Sequence, residues 1–352
     1  MQRRSPVIKE KVTIYTIAKE LSLSPSMVSR AFNPNANVAE EKRRLILETA
    51  QKRGFSPNKL ASRLSMKTIR IGILVVYKAA HVRDGLLKGI ELGFDRLKDY
   101  KIEYTVRTVN AKEKSAKDCR EELFEFKDFD GVILSGFGSS SCRELINEFS
   151  AVNPNVVFMQ NVCEDTEHLF SSKHDEALAG NLAAQLLYER LHYSKRKNVF
   201  VFTGDRTSSV HSRTLSAFCD CAKKLGLHII GDLDMKDSDD ILSSEIDDIL
   251  EKYGKDTDGM YISSGNSSVL CEALERSGLD ISLVCSDVND SVSRYIEKGV
   301  VFATLCQSFE NQSRLAFEEL VMYLLGKSTP KKVIYTDVLP VFFANLSLYK
   351  NK

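Results

Sequence analysis

No apolar run in this sequence is long enough to cross a bilayer. The longest, such as Ile73–Tyr77, end after a few residues, where a spanning helix needs about 20. A secretory segment is also missing. The first thirteen residues contain Arg3, Arg4, Lys9, Glu10 and Lys11 and no apolar stretch, so a cytoplasmic location is expected and no membrane partner. Cysteine spacing excludes redox pairs and zinc sites: of eight cysteines only Cys219 and Cys221 are near neighbours, and that is not CxxC. Reduced, mostly buried thiols are expected. Catalytic signatures are lacking too. GFGSSS (136–141) and GNSS (265–268) fit neither a nucleophile elbow nor a phosphate loop. Asp205, Ser208 and His211 supply the residue types of a triad, but their spacing reads as a solvent-facing loop and helix start. Glu164, Asp165, Glu167 and His168 read as a charged surface loop rather than metal ligands. The chain is therefore expected not to be an enzyme and to need no cofactor or metal. Low-complexity tracts and short repeats are absent as well.

What is present points elsewhere. The 352 residues suffice for two or three domains. A hydrophobic fraction of 43% is that of an ordered globular chain. Net charge is +1 overall, yet residues 1–68 hold fourteen Lys or Arg against five Glu and no Asp. That segment carries +9 and the remainder −8. A compact basic unit on an acidic body is the footprint of nucleic-acid binding confined to one end. A solvated basic tail would give the same asymmetry, so the pattern must decide.

The basic segment reads as short helices. Thr13 caps a first helix over about 14–21, with Ile14, Ile17, Ala18 and Leu21 on one face. Ser22 and Leu23 make a tight turn. Ser24 caps a second helix that begins with Pro25, a residue suited to that first position. A third helix starts near Ala39, led by Glu40 and Glu41, and stops at Gly54. Its Leu45, Leu47 and Ala50, with Phe55, are expected to close a three-helix core. On the second helix Val28 and Ala31 face inward, leaving Ser26, Met27, Ser29 and Arg30 outward. Arg30 suits base readout, since its fork can bridge both acceptors of a guanine edge. Ser24, Ser26 and Ser29 suit phosphate contacts that fix register. After Pro57 a basic, polar stretch follows in which Leu60, Ala61 and Leu64 are the apolar members. It is too small to fold alone, as befits a linker that orders on binding.

From Ile69 the pattern alternates between buried apolar runs and amphipathic segments. The runs are Ile71–Val76, Val132–Leu134, Val156–Met159, Val199–Phe202, Gly259–Ile262 and Leu283–Cys285. The segments lie at about 84–99, 113–127, 175–191, 211–225, 266–277 and 309–325. This rhythm predicts doubly wound parallel sheets with a ligand crevice at the carboxyl ends of the strands. About 280 residues exceed one core, so two lobes are expected.

The block VTIYTIAKELSLSPSMVSRAFNPN, continued by KLASRLSMKT, closely resembles the headpiece of the lactose-repressor (LacI/GalR) family. Pro57, Asn58, Ala61 and Leu64 match that family's hinge motif, and the looser resemblance continues to about Asn345. It implies an α/β protein with an all-α helix-turn-helix headpiece (1–56), a hinge helix (57–68) and a two-lobed periplasmic-binding-protein-like body (69–352). The amino-terminal lobe would hold about 69–172 and 307–337, the other about 173–306 and 338–352. The DNA contacts implied are Ser24, Pro25, Ser26, Met27, Ser29 and Arg30 in the headpiece and Asn58, Ala61 and Leu64 in the hinge. Leu64 would be the wedge that enters the minor groove. Two departures make base preference non-transferable: Ser22 stands where the family usually has Gly, and Met27 where Thr is common.

By the same resemblance a sugar or sugar derivative is expected between the lobes. Asp287 in VCSDVND matches the family's ligand-binding aspartate, and Gln307 matches a glutamine at the lobe crossover. The family's ligand arginine has Thr214 in its place, with Arg213 displaced by one. Ser264 or Asn266 stands for the usual Asn-Asp pair. His81 and Arg83 lie on the first βα loop and could line the cleft. The whole would act as a homodimer on a pseudo-palindromic operator, a nucleoid-associated regulator, in the first instance a repressor, whose DNA affinity the effector controls. The alternative is a cytoplasmic sensor of a sugar or nucleobase whose headpiece represses nothing.

Overall fold

The computed structural model describes residues 12–32, 36–53, 55, 67–265 and 267–349. They divide into an amino-terminal unit and a body that begins at Thr68.

The amino-terminal unit holds α1 (Ile14–Glu20), α2 (Pro25–Ala31) and α3 (Glu40–Lys52). Thr13 starts α1 with a reciprocal cap: its hydroxyl accepts from Thr16 N at 3.3 Å, and Thr16 Oγ1 accepts from Thr13 N at 3.2 Å. Ser24 Oγ accepts from Met27 N at 3.2 Å and opens α2, with Pro25 in its first turn. Between them Ser22 turns the chain with φ 53°, the left-handed region that favours glycine. Ile17, Ala18, Val28, Ala31, Ile46 and Ala50 make the core.

The third helix is phased differently from the sequence expectation. Leu45 and Leu47 are 50% and 41% exposed, while Ile46 between them is fully buried. One helical step turns a side chain by about 100°, so of the three consecutive apolar residues only one can face inward. The inward line runs Arg43, Ile46, Ala50, and Arg43 Nη1 donates to Ala31 O at 2.9 Å. Met27 also departs from expectation, since it is half-buried and packs against this core. The prediction is a sharp contrast within α3. Ile46→Ala is expected to cost about 2–5 kcal/mol and to abolish amide-exchange protection across α1–α3. Leu47→Ala should stay within about 0.5 kcal/mol.

The body is two six-stranded sheets. The first has the order β11-β5-β4-β3-β1-β2, from β1 (Ile69–Tyr77), β2 (Ile102–Asn110), β3 (Gly131–Ser135), β4 (Val156–Met159), β5 (Phe170–His174) and β11 (Val333–Thr336). All its pairings are parallel. The second has the order β12-β10-β9-β8-β6-β7. Its strands are β6 (Asn198–Thr203), β7 (His228–Asp234), β8 (Gly259–Ile262), β9 (Ser282–Ser286), β10 (Val301–Cys306) and β12 (Leu339–Val341). Only β12 runs antiparallel. Registers such as Leu74↔Leu134 and Val132↔Val156 place apolar residues side by side, and β3, β4 and β5 are buried throughout, as sheets covered on both faces require.

The flanking helices are α4 (Ala80–Arg96), α5 (Arg120–Phe124), α6 (Arg143–Val152), α7 (Glu176–Arg190), α8 (Ser209–Leu225), α9 (Asp239–Tyr253), α10 (Ser267–Ser277), α11 (Asp290–Glu297) and α12 (Phe309–Leu324). The chain crosses from one sheet to the other three times: between β5 and α7, between β10 and α12, and between β11 and β12. Among the described residues no helix is long and apolar enough to cross a membrane.

Candidate ligand-binding cleft

A parallel strand ends by releasing its next residue into whatever lies beyond its carboxyl edge. Here eight strands from both sheets release residues into one cavity of about 380 Å³, a volume in the ordinary range for small-molecule sites. Lys78 follows β1, Gly136 follows β3, Gln160 follows β4, and His174 ends β5. From the second sheet come Asp205 beyond β6, Ser263 after β8, Asp287 after β9 and Gln307 after β10. This is the edge where doubly wound sheets bind ligands.

The wall is polar in a way the protein does not satisfy by itself. His174 Nδ1, Ser263 Oγ and Asp287 Oδ1 are buried without a hydrogen-bond partner among the described residues, and all three residues line the cavity; His81 Nε2, beside Asp287, is a fourth such atom. Buried polar atoms left unpaired cost about 1–3 kcal/mol each, so their gathering on one wall marks a place for hydrogen-bonding groups of a ligand. Asp287 is 5% exposed and stands at φ 67°, strained for a residue other than glycine. Its main chain is fixed from both sides: Asp287 N donates to Leu305 O at 2.9 Å, and Thr304 Oγ1 donates to Asp287 O at 2.5 Å. Its Oδ2 is 3.7 Å from His81 Nε2, and the His81 ring faces Phe309 at a centroid distance of 6.4 Å. Burial holds the His174 ring pKa below the ordinary histidine value, outweighing the neighbouring carboxylates of Glu176 and Asp287.

A second cluster lies on the same wall. Asp237 Oδ1 accepts from Ser264 Oγ at 3.1 Å and is 3.2 Å from His211 Nε2. Its Oδ2 accepts from Lys78 Nζ at 3.2 Å. Burial alone would raise this carboxyl, but the hydrogen bond and charge of His211, with Lys78, hold it well below the usual carboxylate range.

Against the sequence expectations, the cavity gathers Asp287, Gln307, Ser264 and Thr214, while His81 is not among the lining residues and reaches the site only through its 3.7 Å approach to Asp287. The main-chain carbonyl of Gln307 accepts from Gln312 Nε2 at 2.7 Å. Arg213 and Arg83 are not among the lining residues. The one-residue displacement turns Arg213 outward on α8, where it is half-exposed and pairs with Glu164. Arg83 lies over the Tyr77 ring at 4.8 Å and bonds Asp84 at 2.7 Å, so its guanidinium is already engaged. Asn266 lies outside the described residues, as do Asn58, Ala61 and Leu64. Asp205, Ser208 and His211, expected to face solvent, all line the cavity instead, because β6 points at the cleft and α8 starts there. Asp205 Oδ1 accepts from Thr207 N at 2.9 Å rather than from His211. Lys78, Gln160, His174, Ser263 and Asp237 went unnoticed in the sequence. The usable signal for Lys78, Gln160 and Ser263 was position, since each directly follows an apolar strand; His174 ends β5, whose Phe-Ser-Ser-Lys-His sequence has no apolar run. Asp237 lies three residues beyond β7 and carries no such mark. In the amino-terminal unit, Ser24, Pro25, Ser26, Ser29 and Arg30 are exposed on one side of α2.

A two-lobed α/β body whose cleft collects polar strand ends defines a binding-protein architecture. Residues 88–328 match the model of the family described as periplasmic binding protein domain, and the chain belongs to that family. Curated relatives carry the LacI/GalR resemblance: catabolite control protein A of Streptococcus mutans is 28% identical over 221 residues, 62% of each chain. The protein of that name from Staphylococcus epidermidis is 30% identical over 184 residues, 51% of this chain and 53% of its own. These alignments span about three-fifths and about half of the relatives' own lengths. Among solved structures, a glucose-galactose binding protein from Geobacillus stearothermophilus superposes with TM-score 0.69 at 19% identity, over 80% of this chain and 99% of that one. A protein from Burkholderia graminis in complex with D-arabinose gives 0.70 at 15% identity, over 79% and 96%. At such identities these structures speak for the fold.

His174 yields a prediction. Its depressed pKa means that the folded state binds fewer protons than the unfolded chain. The stability linked to it is full above about pH 6.5 and is lost as pH falls below that value. Melting temperature should therefore drop between about pH 7.5 and about pH 5. His174→Gln should flatten that slope without removing it, because burial also depresses His168.

Proposed function

We propose that this protein is a sequence-specific DNA-binding transcriptional regulator, in the first instance a repressor, whose operator affinity is controlled by a small polyhydroxylated effector bound between its lobes. The division of labour is a headpiece over residues 1–56, a hinge over 57–68 and a sensor from 69 onward. The observation that carries DNA reading is α2 itself. Its Val28 and Ala31 seal the unit's core, while Ser26, Ser29 and Arg30 are exposed on the opposite side. A short helix that is packed on one side and bears small polar groups and one arginine on the other fits a major groove. The +9 charge of residues 1–68 supplies the phosphate attraction. The orphaned wall of the cleft supports the sensor half. A sugar or sugar derivative, with many hydroxyls that both donate and accept, matches Asp287, His174 and Ser263. Structural neighbours that bind glucose, galactose or D-arabinose agree with that choice.

The protein acts in this reading as a cytoplasmic homodimer on a pseudo-palindromic site, with Leu64 as the minor-groove wedge. Effector binding shifts DNA affinity by the difference between its affinities for the two lobe arrangements.

Selection from random duplexes should yield a pseudo-palindromic site, and Arg30→Ala should lose about 1–3 kcal/mol of specific binding to it while keeping salt-sensitive non-specific binding. Failure to enrich any sequence would instead favour a sensor without a repressing headpiece. A thermal-shift panel of sugars, sugar phosphates and nucleobases tests the cleft. A sugar should raise the melting temperature, and Asp287→Asn should abolish the shift; a response to nucleobases alone would overturn the sugar assignment.

A further inference from the structure

The two clusters on the cleft wall differ in state. The Asp287 wall has buried groups without partners, whereas both oxygens of Asp237 are occupied. The chain also invests in holding Asp237 where it is. Lys236 and Asp237 sit at φ 50° and 53°, conformations that cost about 1–2 kcal/mol for each residue other than glycine. The strained pair is anchored on both sides, by Met235 N donating to Thr203 O at 2.9 Å and by Ser238, whose hydroxyl caps α9. Gly204 leaves the space the cluster needs. A Cβ there would lie 2.1 Å from Asp237 Oδ1 and 2.5 Å from the His211 ring.

Asp237, His211 and Ser264 belong to the lobe of the second sheet. Lys78, directly after β1, belongs to the other. Three further ion pairs among the described residues cross between the lobes. Lys173–Glu176, buried at 2.6 Å, joins β5 to the start of α7 at the first crossing itself, so it does not depend on how far the cleft is open. The His81–Asp287 distance of 3.7 Å is longer than a hydrogen bond, and Arg213 and Glu164 are both about half-exposed, where ion pairs contribute little. The carboxylate of Lys78–Asp237 is only 17% exposed.

We propose that Lys78 and Asp237 form a cross-cleft clasp that draws the two lobes together before any ligand arrives. His211 and Ser264 act as positioning residues for the carboxylate. Ligand recognition falls to the unsatisfied Asp287 wall, a division of roles that rests on the sensor reading above. The clasp itself does not depend on that reading.

Amide hydrogen exchange on the full, ligand-free chain tests it. Lys78→Met keeps the aliphatic stem, removes the charge at a half-exposed position and leaves the core untouched. Segments 78–82 and 204–211, which belong to opposite lobes, should both exchange about fivefold faster, with the central strands unchanged. Lys78→Arg should restore protection. Asp237→Asn should match Lys78→Met, and the double variant should be no faster than either. High salt should accelerate exchange in the parent and not in Lys78→Met. Unchanged exchange in Lys78→Met overturns the clasp, and so does acceleration confined to segment 78–82, or additive effects in the double variant. The readout uses no ligand, so a sugar panel without hits would remove the sensor reading and leave the clasp standing. Loss of the clasp would leave Asp287 and its ligand test untouched.

Discussion

The body depends on one constraint: its strands run in the same direction. A strand buried on both faces must be apolar along its length, because each unpaired polar group inside costs more than folding can spare. Parallel pairing, which only β12 escapes, then returns the chain to the starting edge before each new strand, mostly through a helix, and the carboxyl ends of the parallel strands come to lie on one edge. Polar chemistry has nowhere else to gather. Two such sheets facing each other edge to edge make the cavity, and the side chains that line it are those the strands could not tolerate.

That arrangement leaves the cleft wall in an energetically unfavourable state. His174 is kept neutral by burial, Asp287 and Asp237 occupy left-handed backbone positions, and several donors and acceptors lack partners. Around them lie two large clusters of fully buried aliphatic and aromatic residues in the second lobe and another in the first. The cores supply the stability that the wall gives up. A site of this kind is rigid through its surroundings rather than through its own contacts.

Legibility in the sequence followed burial. The central strands β1, β3, β4, β6, β8 and β9 were readable as apolar runs because both faces of each are covered. The strands β2 and β7 sit at sheet edges and are largely half-exposed, so their pattern dilutes. β5, fully buried yet reading Phe-Ser-Ser-Lys-His, hides because it carries the polar crossing between lobes. In α3 three consecutive apolar residues left the helix phase undetermined, and Ile46 rather than its neighbours took the core. At the site, Asp287 and Gln307 came from family resemblance. Lys78 could have been found from its strand end alone; His174 could not, because the strand it closes has no apolar run. Asp237 could not, since its importance comes from a strained loop and from a glycine 33 positions earlier, which no local pattern records. Ser22 is the reverse case: its departure from the family's glycine becomes visible as a cost only through its φ of 53°.

The three crossings between the sheets have a mechanical consequence. One connecting strand is a tether and lets two bodies swing in any direction. Three strands, at 174–176, 306–309 and 336–339, attach the lobes at three points. Sliding and twisting of one lobe against the other are then resisted, and bending at the crossings is the easiest motion left. A displacement of a fraction of an ångström near the crossings becomes a larger arc at the far end of each lobe. The fold is thus a lever whose short arm is the cleft, and small changes in what lies between Lys78, Asp237 and Asp287 are read out as travel at its outer surface.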